Sequence, residues 1–425
     1  MSQAIHQNAG VRAERGQRFY LPELDVLRFF AFFAVFVSHA PPYAVYSRSL
    51  LGALGAAGGF GVDLFFTLSG YLLTSLLLRE REQTGHIDVK AFYVRRGLRI
   101  WPLYYFFLGL CFLLTLIPES FIAAPSYPGD LFVPMPLKSY FFMAIFLFNF
   151  NIAGSMLTNP SLFMTQLWTI SVEEQFYLFW PWFARYVPRR RLVVVPIVMI
   201  VVACVARATL PLDTNHKVWT NTFTRLDPIA VGILIALIPS FNLRPVVRLV
   251  LVLIGLACWE FASYYCGLIE QLSISKISMG YPAVAVGSGA FLLATLGAKS
   301  LRSGSALVRS LVYLGKISYG LYVYSQIAIF IGRLLLFRGA FGVTVGHPTA
   351  RKLLLFHRAL EAGLVAPGHP AWNAFEVHPT WSAFLVYLTL AFGLNVALAA
   401  ASYRWLEAPF LRLKERFARV PSRAV

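Results

Sequence analysis

The sequence predicts an all-α fold, a polytopic transmembrane helical bundle of about ten spanning helices with one further re-entrant or interfacial segment. Three observations predict it. Hydrophobic residues make up 58% of the 425-residue chain and charged residues only 13%, roughly half the charged share of a soluble domain. Apolar runs near the roughly 20 residues that a helix needs to cross a bilayer recur along almost the whole length. Basic residues stand in short clusters between those runs, so the formal net charge of +18 reads as membrane topology, and no nucleic-acid partner is expected.

Taken in order, residues 1–20 carry Arg12, Arg15 and Arg18 without the short apolar core and small-residue cleavage site of a secretory leader. They are expected to form a cytoplasmic tail. A membrane domain follows over 21–410, and a basic cytoplasmic tail over 411–425. Candidate spans run over 26–45, 60–78, 100–117, 167–187, 192–211, 224–240, 246–266, 280–298, 311–336 and 381–403. The apolar piece at 140–153 is short for a crossing, and charge decides its placement. If it does not cross, 24 Lys and Arg fall inside and 8 outside; if it crosses, the split is 16 against 16. The positive-inside rule selects the first arrangement, with both termini cytoplasmic.

Cys111, Cys204, Cys258 and Cys266 show no CxxC spacing and read as small buried hydrophobes. The outer segment 338–380 holds His347, His357, His369 and His378. With no HxxxH spacing among them, no metal is expected, and the segment reads as a surface helix or a cover over a cavity.

The ionisable residues inside apolar runs carry the functional signal, because such groups are costly in a membrane. In the first span Arg28 and His39 are 11 residues apart, three turns plus about 20°, on one helix face and roughly 16 Å apart along the axis. Asp25 lies on nearly the same face. An imidazole titrating near neutral pH suits a general base; a packing role for His39 and head-group anchoring for Arg28 are the structural alternatives. In the second span Ser69 and Gly70 allow close helix approach. Asp63, near its start, either complements the helix dipole or faces the cavity of His39.

Arg95, Arg96 and Arg99 follow at the cytoplasmic entry of the third span, where guanidinium groups chelate phosphate or anchor the helix. In "SVEEQ", Ser171 and Glu174 fit a capping box, which leaves Glu173 free to orient an imidazole or accept a hydrogen bond from a sugar hydroxyl. Arg225 and Asp227 stand together at the outer end of a later span, as an internal ion pair or a substrate contact.

These stretches together resemble the acyltransferase 3 family of integral membrane acyltransferases. The resemblance covers about 20–410 through "LDVLRFFAFFAVFVSHA", "GVDLFFTLSGYLL", "YVRRGLRIWPLYY", "LWTISVEEQFYLFWP", "TRLDPIAVG", "ISYGLYVYS" and "SYRWLEAPF", in the family's order. It implies transfer of an acyl group, commonly acetyl, from cytoplasmic acyl-CoA to a hydroxyl of a carbohydrate or glycolipid acceptor, by a multi-pass protein of the bacterial inner (plasma) membrane. The family's Arg and His separated by ten residues match Arg28 and His39, its arginine cluster matches Arg95, Arg96 and Arg99, and its acidic residue maps onto Glu173. Ser325 stands where many relatives have a histidine, and the fused esterase-like domain of some relatives is not expected.

The resulting expectation has the CoA nucleotide against Arg28, Arg95, Arg96 and Arg99, with His39 as base supported by Glu173 or Asp63. Asp25, Ser69, Asp227 and Tyr319 are the candidate substrate contacts. Direct transfer is expected over an acyl-enzyme, since no Ser or Cys sits at a spacing that argues for a paired nucleophile. The rival from another class is a transporter or flippase of a glycan or lipid, against which the two halves of the chain show no internal repeat.

Overall fold

The computed structural model describes residues 20–39, 55, 57–116, 137–155, 164–209, 215–239, 242–266, 274–335 and 381–417, and among these every regular element is helical. The N-terminal tail, the outer segment 338–380 and the last residues of the C-terminal tail lie outside the described residues. The helices are α1 (Pro22–His39), α2 (Gly61–Thr84, entered through a 3-10 turn, Gly58–Phe60), α3 (Val89–Thr115), α4 (Leu137–Ala144), α5 (Phe148–Ser155), α6 (Leu167–Tyr186) and α7 (Val194–Thr209). They continue with α8 (Asn215–Thr220), α9 (Leu226–Leu237), α10 (Pro245–Glu260), α11 (Ile274–Thr295), α12 (Ala306–Lys316), α13 (Ser318–Leu335), α14 (Trp381–Ser402) and α15 (Ala408–Glu415).

Among the described residues four helical stretches are long and apolar enough to cross a bilayer: 58–84, 245–265, 275–295 and 385–415. The other sequence-derived spans take different forms. Helices α1, α3 and α6 have 18, 27 and 20 residues, but each carries several of the charges singled out above. The 224–240 run yields only the 12-residue α9, about 18 Å long. The 311–336 run divides at Ile317 into α12 and α13. The 140–153 piece is broken at Phe146, whose φ of 56° is left-handed. Tyr104 and Tyr105 on α3 donate their hydroxyls to the Met143 and Ala144 carbonyls at that break, and Gln175 on α6 donates to the Phe146 carbonyl, so the interrupted backbone keeps partners.

Polarity is inverted relative to a soluble protein. Helices α7 and α10 turn Val194, Ile197, Val198, Val201, Val246, Leu249 and Leu253 outward, while Glu23, Asp25, Asp63, Arg207, Arg225, Asp227 and Glu407 are buried. Lipid tolerates the first set, and only an interior with partners tolerates the second.

Helix α2 runs through the centre, where glycine lets backbones meet. A side chain at Gly70 would collide with the Ile229 carbonyl of α9, and one at Gly232 of α9 with the Thr67 carbonyl of α2. On the other side, Gly58 and Gly61 meet the Ala34 and Ala31 carbonyls of α1. Arginines then close helix ends by taking up their free carbonyls. Arg81 donates to Ala184 and Val187 at the end of α6, and Arg248 to Ala294 and Leu296 at the end of α11.

Gly232→Ala is expected to destabilise the detergent-solubilised protein by about 1–3 kcal/mol through overpacking, read as a lowered thermal midpoint. Gly109→Ala, whose added methyl meets nothing within 4 Å, is the control that leaves it unchanged or slightly raised.

Candidate active site

A cavity of about 880 Å³, including its open mouth, lies among α1, α2, α3, α6 and α13. Each helix contributes one face at helical spacing. Helix α2 gives Val62, Phe65, Phe66, Ser69, Leu72 and Leu73; α6 gives Thr169, Ile170, Glu173 and Tyr177; α3 gives Arg96, Arg99 and Ile100; α13 gives Ser318, Tyr319 and Tyr322; and α1 gives Arg28. The direction of Ser69 follows from packing. Gly70 is pressed against α9, so its neighbour, about 100° around the helix, faces α6.

Two of the cavity arginines have free donors. Arg96 lies 5.6 Å over the rings of both Phe92 and Tyr177, and neither it nor Arg99 makes a hydrogen bond or ion pair with another described residue. Arg28 is engaged: its Nη1 is 2.7 Å from Asp25 Oδ1, and Tyr20 donates to the other oxygen at 2.9 Å. Arg95 is turned elsewhere, its Nη2 2.9 Å from Glu80 Oε2 and its Nη1 donating to the Phe417 carbonyl at 2.8 Å. The cluster of three read from the sequence thus divides into two that face the cavity and one that ties Phe417, just after α15, to α2 and α3.

Opposite Arg96, Ser69 Oγ donates to Glu173 Oε1 at 2.5 Å, and the Tyr177 hydroxyl lies 3.2 Å from the same Oγ. Tyr319 lines the cavity and donates its hydroxyl to the Ile100 carbonyl at 3.0 Å. Glu174 faces away, accepting from Trp101 Nε1 at 3.3 Å. The capping-box reading of Ser171 is corrected: α6 begins at Leu167 behind Gln166, so Ser171 sits inside the helix, buried, with no partner for its hydroxyl among the described residues. A turn at 164–166 starts the helix earlier than the sequence pattern suggests, and the Gln166 side chain is occupied by the Val323 carbonyl.

His39 closes α1 and does not line this cavity. Its Nδ1 is buried without a hydrogen-bond partner among the described residues. Neither expected supporter touches it. Glu173 is held by Ser69, and Asp63 forms an ion pair at 2.7 Å with Arg225, whose guanidinium also lies over the rings of Trp219 at 4.5 Å and Tyr281 at 4.9 Å. Asp227 does not pair with its neighbour Arg225; its Oδ2 is 3.1 Å from Arg207 Nη1. Asp25, Asp63 and Asp227 therefore all face arginines, and none lines the cavity.

Sequence reasoning missed several of these residues. Arg207 was visible as a lone cation in the run "VVACVARAT", which demands a carboxylate partner. Thr169 and Tyr177 stand four residues on either side of Glu173 and share its face. Glu80, the partner of Arg95, and Glu407, buried beside Ser402 at 3.3 Å, carried no distinctive spacing. Among the described residues no cluster of His, Cys, Asp or Glu could hold a metal ion.

An all-helical body with long apolar helices and a cavity lined by Arg28, Arg96 and Arg99 defines a membrane protein with an internal cationic site. The family model for an acyltransferase domain matches residues 21–403, and the chain belongs to the acyltransferase 3 family. It is similar to peptidoglycan O-acetyltransferase OatA of Listeria monocytogenes, at 28% identity over 331 residues, which is 74% of this chain and 50% of that protein. It is also similar to O-acetyltransferase OatA of Staphylococcus aureus, at 26% over 317 residues, 72% of this chain and 50% of that one. The chain thus spans about half the length of these curated relatives. No solved structure matches it.

Removing one member of the Asp63–Arg225 pair is expected to cost about 3–5 kcal/mol, because it strands a buried charge. Asp63→Leu combined with Arg225→Met should recover much of that loss. Thermal unfolding of the two single variants and the double variant checks this.

Proposed function

We propose that the protein is a multi-pass O-acyltransferase of the bacterial inner membrane, with about ten spanning segments and cytoplasmic termini. It moves an acyl group, commonly acetyl, from cytoplasmic acyl-CoA to a hydroxyl of an envelope carbohydrate or glycoconjugate. One observation carries the reading: Arg96 and Arg99, one helical turn apart, turn unpaired guanidinium groups into the same cavity as Ser69 and Glu173. Partly buried arginines that meet no acidic partner among the described residues are suited to an anion, and phosphates of a nucleotide donor supply it. Arg28, held by Asp25 at the wall, adds a third cation.

From that site the apolar wall of Phe65, Phe66 and Val62 suits an extended pantetheine arm. His39, whose Nδ1 has no hydrogen-bond partner among the described residues, takes the proton of the acceptor hydroxyl as its oxygen attacks the acyl carbonyl. The pairing of Asp63 with Arg225 and of Asp227 with Arg207 supports a role for both carboxylates in holding the helices that frame the site. The relatives named above are O-acetyltransferases and one is a peptidoglycan O-acetyltransferase, which supports a glycan as acceptor.

Arg96→Ala and Arg99→Ala should each weaken acetyl-CoA binding to the purified protein by about tenfold or more, the worth of a charge-assisted hydrogen bond, while Arg95→Ala weakens it much less. Equal effects of all three would return the cluster to general electrostatics. His39→Ala should abolish label transfer from acetyl-CoA to envelope glycan with expression and insertion intact. A wild-type protein that moves glycan across vesicles without labelling it would be a transporter instead.

A further inference from the structure

Ser69 is turned out of its own helix in a way its neighbours are not. Thr67 and Thr74 on α2 donate their hydroxyls back to the Asp63 and Gly70 carbonyls, at 2.9 and 2.6 Å, the common resting place of a hydroxyl in an apolar helix. Ser69 donates instead across the cavity to Glu173 at 2.5 Å, with Tyr177 OH at 3.2 Å from its Oγ. Glu173 makes no ion pair with a described residue, so its carboxylate is held by hydroxyls and remains free to accept a proton. A hydroxyl aimed at a carboxylate, beside a second hydroxyl and within a cationic cavity, is a nucleophile with its base.

We propose that Ser69 carries the acyl group as an ester between donor and acceptor, with Glu173 taking its proton. This rests on the donor-cavity reading above. Ser69 Oγ bonds to the thioester carbonyl carbon while its proton passes to Glu173. The carbon–sulfur bond breaks, the departing thiolate takes that proton from Glu173, and CoA leaves as the free thiol. In the second half His39 takes the acceptor's proton as the acceptor oxygen bonds to the acyl carbon, the bond to Ser69 Oγ breaks, and that proton passes on from His39 to Ser69. Nothing is oxidised or reduced. Tyr177 OH lies close enough to Oγ to donate to the carbonyl oxygen as it gains charge. His39, outside the cavity, takes part only in the second half.

An acyl-enzyme also suits two substrates that meet the protein from opposite sides, because the first can leave before the second arrives.

The test is isotope exchange with the full-length protein in detergent, given acetyl-CoA and labelled CoA and no acceptor. An acyl-enzyme moves label from CoA into acetyl-CoA; direct transfer does not. Ser69→Ala should lose the exchange, and Glu173→Gln should slow it by about a hundredfold or more, the usual worth of a general base. His39→Ala, which stops transfer to glycan, should still exchange. Ser69→Cys should carry a thioester released by neutral hydroxylamine, where the serine ester resists it. A wild-type protein that binds acetyl-CoA and labels glycan but exchanges nothing overturns the acyl-serine and leaves the donor cavity standing. So does an adduct mapped to a residue other than Ser69. A protein that does not bind acetyl-CoA ends both readings.

Discussion

The structure depends on bare backbone meeting bare backbone along α2. Gly70 and Gly232 place the carbonyls of Ile229 and Thr67 where side chains would otherwise stand, and Gly58 and Gly61 do the same against α1. Between lipid-exposed helices there is little hydrophobic drive, so close van der Waals contact must supply the association. That contact also fixes rotation. With Gly70 locked against α9, Ser69 has one direction left, and the cavity is the space into which α2 points.

Charge is then distributed by a simple division. Arg28, Arg95, Arg207, Arg225 and Arg302 each meet a carboxylate, and Arg81 and Arg248 take up carbonyls at helix ends. These groups hold the bundle together, and Arg225 is further confined between Trp219 and Tyr281. Arg96 and Arg99 stand outside that scheme. Among the described residues neither meets a carboxylate, and both open into the cavity, where the proposed donor would supply the partner.

Much of this was legible in the sequence, for identifiable reasons. Fold class followed from composition, and the family from seven ordered motifs. Arg28 stood out as an ionisable group in an apolar run, Glu173 as a carboxylate without a structural job, Arg96 and Arg99 as a basic cluster at a helix entry, Ser69 as a small residue allowing close approach and Tyr319 within a family-like motif, and all six line the cavity. What a linear reading cannot give is pairing across helices. Asp227 looked like the partner of Arg225 two residues away, yet each found its partner on another helix. Arg95 and Arg96 looked alike, but adjacent residues on a helix point about 100° apart, and only one meets the cavity. The contact of Ser69 with Glu173 spans 104 positions of sequence, and no spacing rule reaches that far.

The break at Phe146 has a consequence for everything after it. A helix running unbroken from 137 to 155 would be about 28 Å long, nearly the thickness of the hydrocarbon layer. One left-handed residue, at a strain of roughly 1–2 kcal/mol, turns the stretch back on itself instead. The hydroxyls of Tyr104 and Tyr105 and the amide of Gln175 hold that reversal. A straightened segment would be long enough to add one passage and so reverse the sense of every later helix, and these three side-chain hydrogen bonds hold the chain to the folded-back course instead.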